Sequence, residues 1–219
     1  MKKINIAIDG VAGSGKSSVA KRVALKLNYK YIDTGSMYRC VAYLVNKKGI
    51  NVDNLNELKI MLENDFDYQY NDGRVFLNSE DVTLKIRTQE INDILPRIVP
   101  IPLVRKYLVK KQQEMGKEKG VVMDGRDITS VVLKDAELKI YQTASLESRA
   151  YRRYRENVEK GIEANYDEIL KNLELRDYTD MHVSKALVKV EDAIEIDTSN
   201  MTLEEVVEYI YELARKLVK

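Results

Sequence analysis

Eight consecutive residues, Gly10-Val-Ala-Gly-Ser-Gly-Lys-Ser17, fill every fixed position of the phosphate-loop pattern G-x-x-x-x-G-K-[ST]. The chemistry they offer is anion binding. Gly10, Val11, Ala12, Gly13, Ser14 and Gly15 present successive backbone N–H groups to phosphate oxygens, with glycines where a Cβ would intrude. Ser17 and Ser18 open a helix whose first N–H groups have no partner within it. Lys16 sets a point charge on the β- and γ-phosphates, and the Ser17 hydroxyl is a ligand for the Mg²⁺ that bridges the same oxygens. Together these residues imply a nucleoside triphosphate carrying Mg²⁺.

Arginine supplies the second set of candidates. Arg149, Arg152, Arg153 and Arg155 fall on one segment patterned as a helix. Glu156 lies four residues after Arg152 and Glu159 four after Arg155, so these two are expected to be neutralised locally. Arg149 and Arg153 face only each other at i, i+4, an unfavourable pairing unless an anion sits between them, and a phosphoryl group in transfer is such an anion. Arg39, Arg105, Arg126 and Arg176 form a scattered set at the ends of inferred elements, where bidentate phosphate contacts are built. Asp9 and Asp124 end core strands beside the loop. Each either orients Mg²⁺ through water or is a hydrogen-bonded structural aspartate.

These residues need a frame. Ile4, Ile6, Ala7 and Ile8 form a short strand before the loop, and Val19, Val23 and Leu27 repeat with helical spacing after it. Tyr29–Ile32 reads as a second strand running into Asp33, followed by a helix over about Ser36–Asn46. Val121–Met123, Leu138–Tyr141 and Ala193–Ile196 supply three more strands. The last helix opens on the capping box Thr202-Leu-Glu-Glu205, with Leu203, Val206, Val207, Ile210, Leu213 and Leu217 on its apolar stripe. Between residues 64 and 84, Phe66, Tyr68 and Tyr70 alternate with polar residues, Asn71-Asp72-Gly73 marks a turn, and Val75, Leu77 and Val82 continue the pattern, predicting a small antiparallel insert of about three strands. Pro96, Pro100 and Pro102 punctuate the chain before a helix starting near Pro102.

The expected fold is α/β: a doubly wound five-stranded parallel sheet of the P-loop NTPase type with helices on both faces, plus the antiparallel β-containing insert. The 219 residues are read as one domain, with core at 1–63, 98–145 and 185–219, insert at 64–97, and a helical lid with its following helix at 146–184. Lysine and arginine number 36 against 35 aspartate and glutamate, so no net field draws the chain to nucleic acid or membrane. Asp9 interrupts the first apolar run, which argues against a signal peptide or spanning helix and for a cytoplasmic protein. Cys40, the one cysteine, has no disulfide partner and reads as a buried small hydrophobe, His182 as a surface residue, and the glycosylation pattern Asn200-Met-Thr202 as idle.

Several motifs in order add a resemblance: the phosphate loop, Asp33-Thr-Gly-Ser-Met-Tyr-Arg39, Ile86-Arg-Thr-Gln-Glu90, Val104-Arg105, Asp124-Gly-Arg-Asp127 and Arg149-Ala-Tyr-Arg-Arg153. Over essentially the whole chain the sequence resembles the bacterial cytidylate kinases, and residues 64–84 look like that family's nucleoside-monophosphate-binding insert. The resemblance implies transfer of the γ-phosphate of ATP to CMP or dCMP by a monomer in pyrimidine nucleotide metabolism, with Mg²⁺. It implies that Thr34, Arg39, Arg126, Arg176 and Asp180 hold the acceptor's phosphate and sugar, that Arg105 and Asp127 read the cytosine edge, and that Arg149, Arg152 and Arg153 belong to a lid closing over the phosphates. Lys16, Arg126, Arg149 and Arg153 would serve the transition state and Arg152 the ATP side. An aspartate accepting from an exocyclic amine and an arginine donating to ring acceptors suit cytosine.

The sequence departs from the family's pattern on the acceptor side. Pro96 stands where a base-contacting serine is usual. After Arg176-Asp-Tyr-Thr-Asp180, Val183 replaces an arginine and Leu187-Val188 a Pro-Leu pair. A kinase with a drifted acceptor, UMP or another small molecule, and a nucleotide-binding regulatory protein with weakened transfer therefore stand beside the first reading. A GTPase switch is disfavoured because no Asn-Lys-x-Asp signature is present.

Overall fold

The structure, a computed structural model, describes residues 2–71 and 73–218. Asp72, the middle of the expected turn, lies outside the described residues. Strand β1 (Ile6–Gly10) is buried throughout, as a central parallel strand covered on both faces must be. Helix α1 (Lys16–Leu27) follows the phosphate loop and stops at Asn28 in the left-handed conformation. After β2 (Lys30–Asp33), helix α2 (Thr34–Lys48) begins where the Asp33 carboxylate accepts the Ser36 N–H at 2.9 Å. It is longer at both ends than its apolar periodicity indicates. Helix α3 (Leu55–Asp65) leads to the hairpin strands β3 (Tyr68–Asn71), β4 (Arg74–Leu77) and β5 (Glu80–Asp81), then to α4 (Gln89–Ile98) and α5 (Pro102–Gly116). The chain returns through β6 (Val121–Gly125), β7 (Leu138–Thr143), α6 (Leu146–Glu159), α7 (Tyr166–Tyr178), β8 (Ile194–Asp197) and α8 (Leu203–Leu217).

Five strands form one sheet in the order β2-β6-β1-β7-β8, and β1 pairs in parallel with β6 on one side and β7 on the other. The α/β frame with five core strands is therefore the one expected. Because β1 lies between strands that arrive later in the chain, its carboxyl end is the point where the winding reverses, which is where ligands bind in open sheets of this kind. The phosphate loop leaves from that end. The capping box of α8 forms as read, with the Glu205 N–H on the Thr202 hydroxyl and the Thr202 N–H on the Glu205 carboxylate at 2.8 Å. That use of Thr202 gives the Asn200-Met-Thr202 triplet a structural role. Val206, Val207, Ile210 and Ala214 are buried, whereas Leu213 is only half-buried and Leu217 exposed, because the stripe outlasts the surface it packs on.

Two compact units divide the chain, Met1–Tyr31 with Glu118–Lys219, and Ile32–Lys117. The first buries Ile4, Ile6, Ile8, Val19, Val23, Val122, Met123, Ile140 and Ile210 around its sheet. The second packs Met37, Cys40, Leu58, Met61, Leu62, Leu77, Ile86, Ile91, Ile98 and Leu108 among its helices and the antiparallel sheet β3-β4-β5. Burial pushes the Cys40 thiol up to about 12, so it is inert packing. Pro96, which reads in the sequence as punctuation before the next helix, lies inside α4, which runs on past it to Ile98. Among the described residues, no helix is long and apolar enough to cross a membrane.

Candidate active site

The loop between β1 and α1 is shaped by what lies against it. A Cβ on Gly10 would fall 2.0 Å from the Gln142 carbonyl oxygen of β7, so only glycine allows the two strands to pair there. Gly15 sits at φ +86° as the N-cap of α1 and makes no side-chain cap, so nothing from a capping side chain competes with an anion for the helix's first N–H groups. Gln142, buried on β7, donates its Nε2 to the Ser14 carbonyl at 2.5 Å. Sequence reading missed this residue, whose one signal was a polar side chain in a strand destined for the sheet centre.

Lys16 is buried, and its Nζ donates to the Val11 carbonyl at 3.0 Å across the loop. Burial, and after it the charge of Arg126, lowers the ammonium to about 7, with Arg176 acting in the same direction and Asp124 and Asp180 against it. The Ser17 hydroxyl donates to the Asp124 carboxylate at 2.6 Å, and the Tyr31 hydroxyl holds the other oxygen of the same carboxylate at 2.7 Å.

The two aspartates read as equivalent in the sequence are thereby separated. Asp124 stands at the end of β6 beside Ser17. Asp9 instead accepts the Ile128 N–H at 2.9 Å, the Thr129 N–H at 2.8 Å and the Thr129 hydroxyl at 2.6 Å, tying β1 to the π-helical turn Ile128–Val132. Burial raises its carboxyl above the usual range despite these bonds. Asp9 is a structural cap, and the hard oxygens of Ser17 and Asp124 are the pair suited to Mg²⁺, which takes one or two protein oxygens and completes its shell with phosphate and water. Among the described residues no group of three or more His, Cys, Asp or Glu side chains is arranged as a metal cage.

The arginine segment forms helix α6 as expected, but its pairings differ from those that spacing implied. Arg149 is buried, ion-paired with Asp177 of α7 at 2.7 Å, and donates to the Ala144 carbonyl at 2.9 Å and the Ala12 carbonyl at 2.8 Å. Arg152 reaches the carbonyls of Thr198, Ser199 and Met201 instead of Glu156. Glu156 takes Arg153 at 3.2 Å and also Lys160, and Arg155 meets Glu159 at 2.9 Å as spacing predicts. Arg126 is paired with Asp180 at 2.6 Å, and Arg176 feels the positive charges of both Arg126 and Arg153. His182 is exposed and lies against Tyr178, in keeping with a surface role.

The unit Ile32–Lys117 carries the other expected residues. Thr34 is buried at the start of α2, directly after Asp33, which accepts both the Ser36 N–H and Arg87 at 3.3 Å. Arg39 is fixed by the Ile86 carbonyl at 3.0 Å and Asn92 Oδ1 at 2.8 Å, so α4 orients it. Arg105 lies in the first turn of α5, half-buried.

Comparison with known proteins bears on this arrangement. The cytidylate kinase family model matches residues 6–216. The chain is 44% identical to the cytidylate kinase of Streptococcus agalactiae serotype V, covering all of this chain and 98% of that protein. It is 45% identical to that of Flavobacterium johnsoniae, covering 100% and 99%, and 43% identical to that of Fusobacterium nucleatum, covering 99% and 100%. The crystal structure of an uncharacterized protein from Eubacterium ventriosum superposes with a TM-score of 0.53 at 16% identity, covering 98% of this chain and 99% of that one, and shares the fold alone. With its phosphate loop at the switch point of a five-stranded sheet and a match along nearly its whole length, this chain belongs to the cytidylate kinase family.

Proposed function

We propose that the chain transfers the γ-phosphate of ATP to CMP or dCMP, giving ADP and CDP or dCDP. The observation that carries the chemical step is the cluster at the carboxyl ends of β1 and β6, where buried Lys16, the Ser17–Asp124 pair and Arg126 converge. The acceptor phosphate is already ionised at neutral pH, so no general base and no covalent enzyme intermediate are required. Backbone N–H groups of the loop between β1 and α1, other than that of Ala12, which Asp177 holds, cradle the donor phosphates with Ser17 and Ser18, and Lys16 neutralises the β- and γ-oxygens. Ser17, with Asp124 behind it, would hold Mg²⁺, which would supply further charge neutralisation of the phosphates. Arg126 and Arg153 meet the charge of the transferring group. Arg149 supports the loop from beneath, and Arg152 belongs to the ATP side.

On the acceptor side the reading assigns Thr34, Arg39, Arg126, Arg176 and Asp180 to the phosphate and sugar, and Arg105 and Asp127 to the cytosine edge. Residues 64–97 act as the monophosphate-binding insert and 146–184 as the lid. The enzyme works as a cytoplasmic monomer on free nucleotides, a setting that its near-balanced charge and lone cysteine suit. A coupled assay with ATP and Mg²⁺ that offers CMP, dCMP, UMP, AMP, GMP and shikimate tests the assignment. CMP or dCMP turns over fastest. A faster alternative acceptor overturns the specificity, and ATP binding without turnover of any acceptor overturns the kinase role.

Two further results are expected. Val183 is exposed on the turn Thr179–Val183 beside Asp180, so Val183→Arg adds a cation without displacing packed atoms, and the KM for CMP falls by about tenfold, the worth of one charge-assisted contact, with kcat for saturating CMP little changed. Lys16 governs the pH dependence of donor binding. Burial lowers its ammonium to about 7, and triphosphate requires the charged form, so binding takes up a proton above that pH and affinity falls as pH rises. Titration calorimetry between pH 7.5 and 9, above the second phosphate ionisation, shows Kd for ATP rising towards about tenfold per unit, with proton uptake visible as a buffer-dependent heat. Lys16→Arg, always charged, shows no uptake.

A further inference from the structure

We propose that Asp177 is a positioning residue for the phosphate loop, holding the Ala12 peptide so that the loop is preformed for a triphosphate. The proposal rests on the donor reading above and extends it to a residue that touches no substrate in that reading. Asp177 Oδ1 accepts the Ala12 N–H at 3.0 Å. Its Oδ2 meets Arg149 at 2.7 Å, and the same guanidinium donates to the Ala12 carbonyl at 2.8 Å. Both polar groups of this residue, the second variable position of the phosphate loop, are thus held by one ion pair, and both partners are largely shielded from water, with side chains 6% and 15% exposed.

Apolar contact reinforces the bond pattern. Ala12, Ala150 of α6 and Leu173 of α7 form one buried cluster, and a Cβ on Gly13 would stand 3.1 Å from the Leu173 side chain. The outer turn of the loop is therefore seated on α6 and α7. With the Ala12 N–H turned to Asp177, the loop crosses Gly13 at φ +73°. Without the carboxylate, the Ala12 N–H and the Arg149 charge lose their shared partner in a mostly dry site. The loop then samples conformations in which its N–H groups no longer converge, and anion binding bears the cost of ordering it.

The test measures equilibrium binding of inorganic tripolyphosphate, ATP with Mg²⁺, and CMP to the full chain, together with amide exchange at Ala12. In Asp177→Ala, tripolyphosphate and ATP weaken at least tenfold, CMP binding stays within about twofold, and Ala12 exchange accelerates. Asp177→Asn keeps an acceptor for the Ala12 N–H but not the charge opposite Arg149, and gives an intermediate loss. Unchanged tripolyphosphate affinity in a folded variant overturns the proposal, as does equal weakening of CMP, which marks a general structural role. Should the alanine variant not fold, wild-type tripolyphosphate affinity and Ala12 exchange in the asparagine variant overturn it equally. A wild-type protein that binds neither ATP nor tripolyphosphate would instead overturn the donor reading itself.

Discussion

Lys16→Ala abolishes phosphoryl transfer to every acceptor, with kcat reduced by about a thousandfold or more, while the melting temperature holds or rises. The activity loss follows from removing a preorganised charge at the phosphates, the kind of group whose deletion costs about 10²–10³ in rate even when it is a neutral donor. The stability arm follows from the same burial. Lysine has a model value of 10.5, lowered to about 7 in the folded protein, so the folded state binds the proton less well than the unfolded state. Between those values the unfolded chain holds more protons, and this group's contribution to folding improves as pH rises from about 7 towards 10.5. At neutral pH the charged lysine opposes folding, and alanine removes that opposition. Rate measurements with thermal melts across pH 7 to 9 check both arms. Normal turnover in Lys16→Ala excludes the assigned site, and a large fall in melting temperature excludes the electrostatic account of the lysine.

Gly10→Ala is expected to destabilise the protein strongly. The added carbon lies 2.0 Å from the Gln142 carbonyl oxygen and 2.9 Å from its carbon, both backbone atoms of β7, so no side-chain rotation relieves the clash. Strands β1 and β7 must separate at the residues whose pairing launches the loop. Overpacking of this kind costs about 3 kcal/mol or more, a fall in melting temperature of roughly 6–12 °C for a chain of this size. ATP binding is lost in step. Gly49→Ala is the comparison: Gly49 closes α2 at φ +63° with nothing within 4 Å of its virtual Cβ, so it pays only the left-handed strain of about 1–2 kcal/mol. Paired thermal melts decide the matter, since a loss at Gly10 no larger than that at Gly49 would overturn the strand-contact account.

The contrast between these glycines shows what a sequence carries. Both follow from local patterns, one opening the phosphate loop and one ending a helix. Only Gly10 has a neighbour whose identity depends on β7 arriving 132 positions later in the pairing Gly10↔Gln142. The arginines of α6 make the same point with charge. Spacing along a helix correctly matched Arg155 with Glu159, because both groups belong to one turn and its successor. It failed for Arg149 and Arg152, whose partners Asp177 and the Thr198–Met201 carbonyls come from elements that periodicity along α6 does not contain. Pro96 reads as punctuation because proline usually ends a helix, whereas α4 carries it in its interior and runs on to Ile98.

By itself the sequence determined the phosphate loop, the five core strands and the antiparallel insert, since each is written in contiguous residues whose spacing obeys a helix, a strand or an anion-binding turn. The tertiary structure decided which aspartate stands beside Ser17, why Gly10 admits no side chain, and where Arg149 spends its charge. Those outcomes depend on which strand ends meet at the centre of the sheet and on which side chains are desolvated together, and both are set by contacts between residues far apart in the chain.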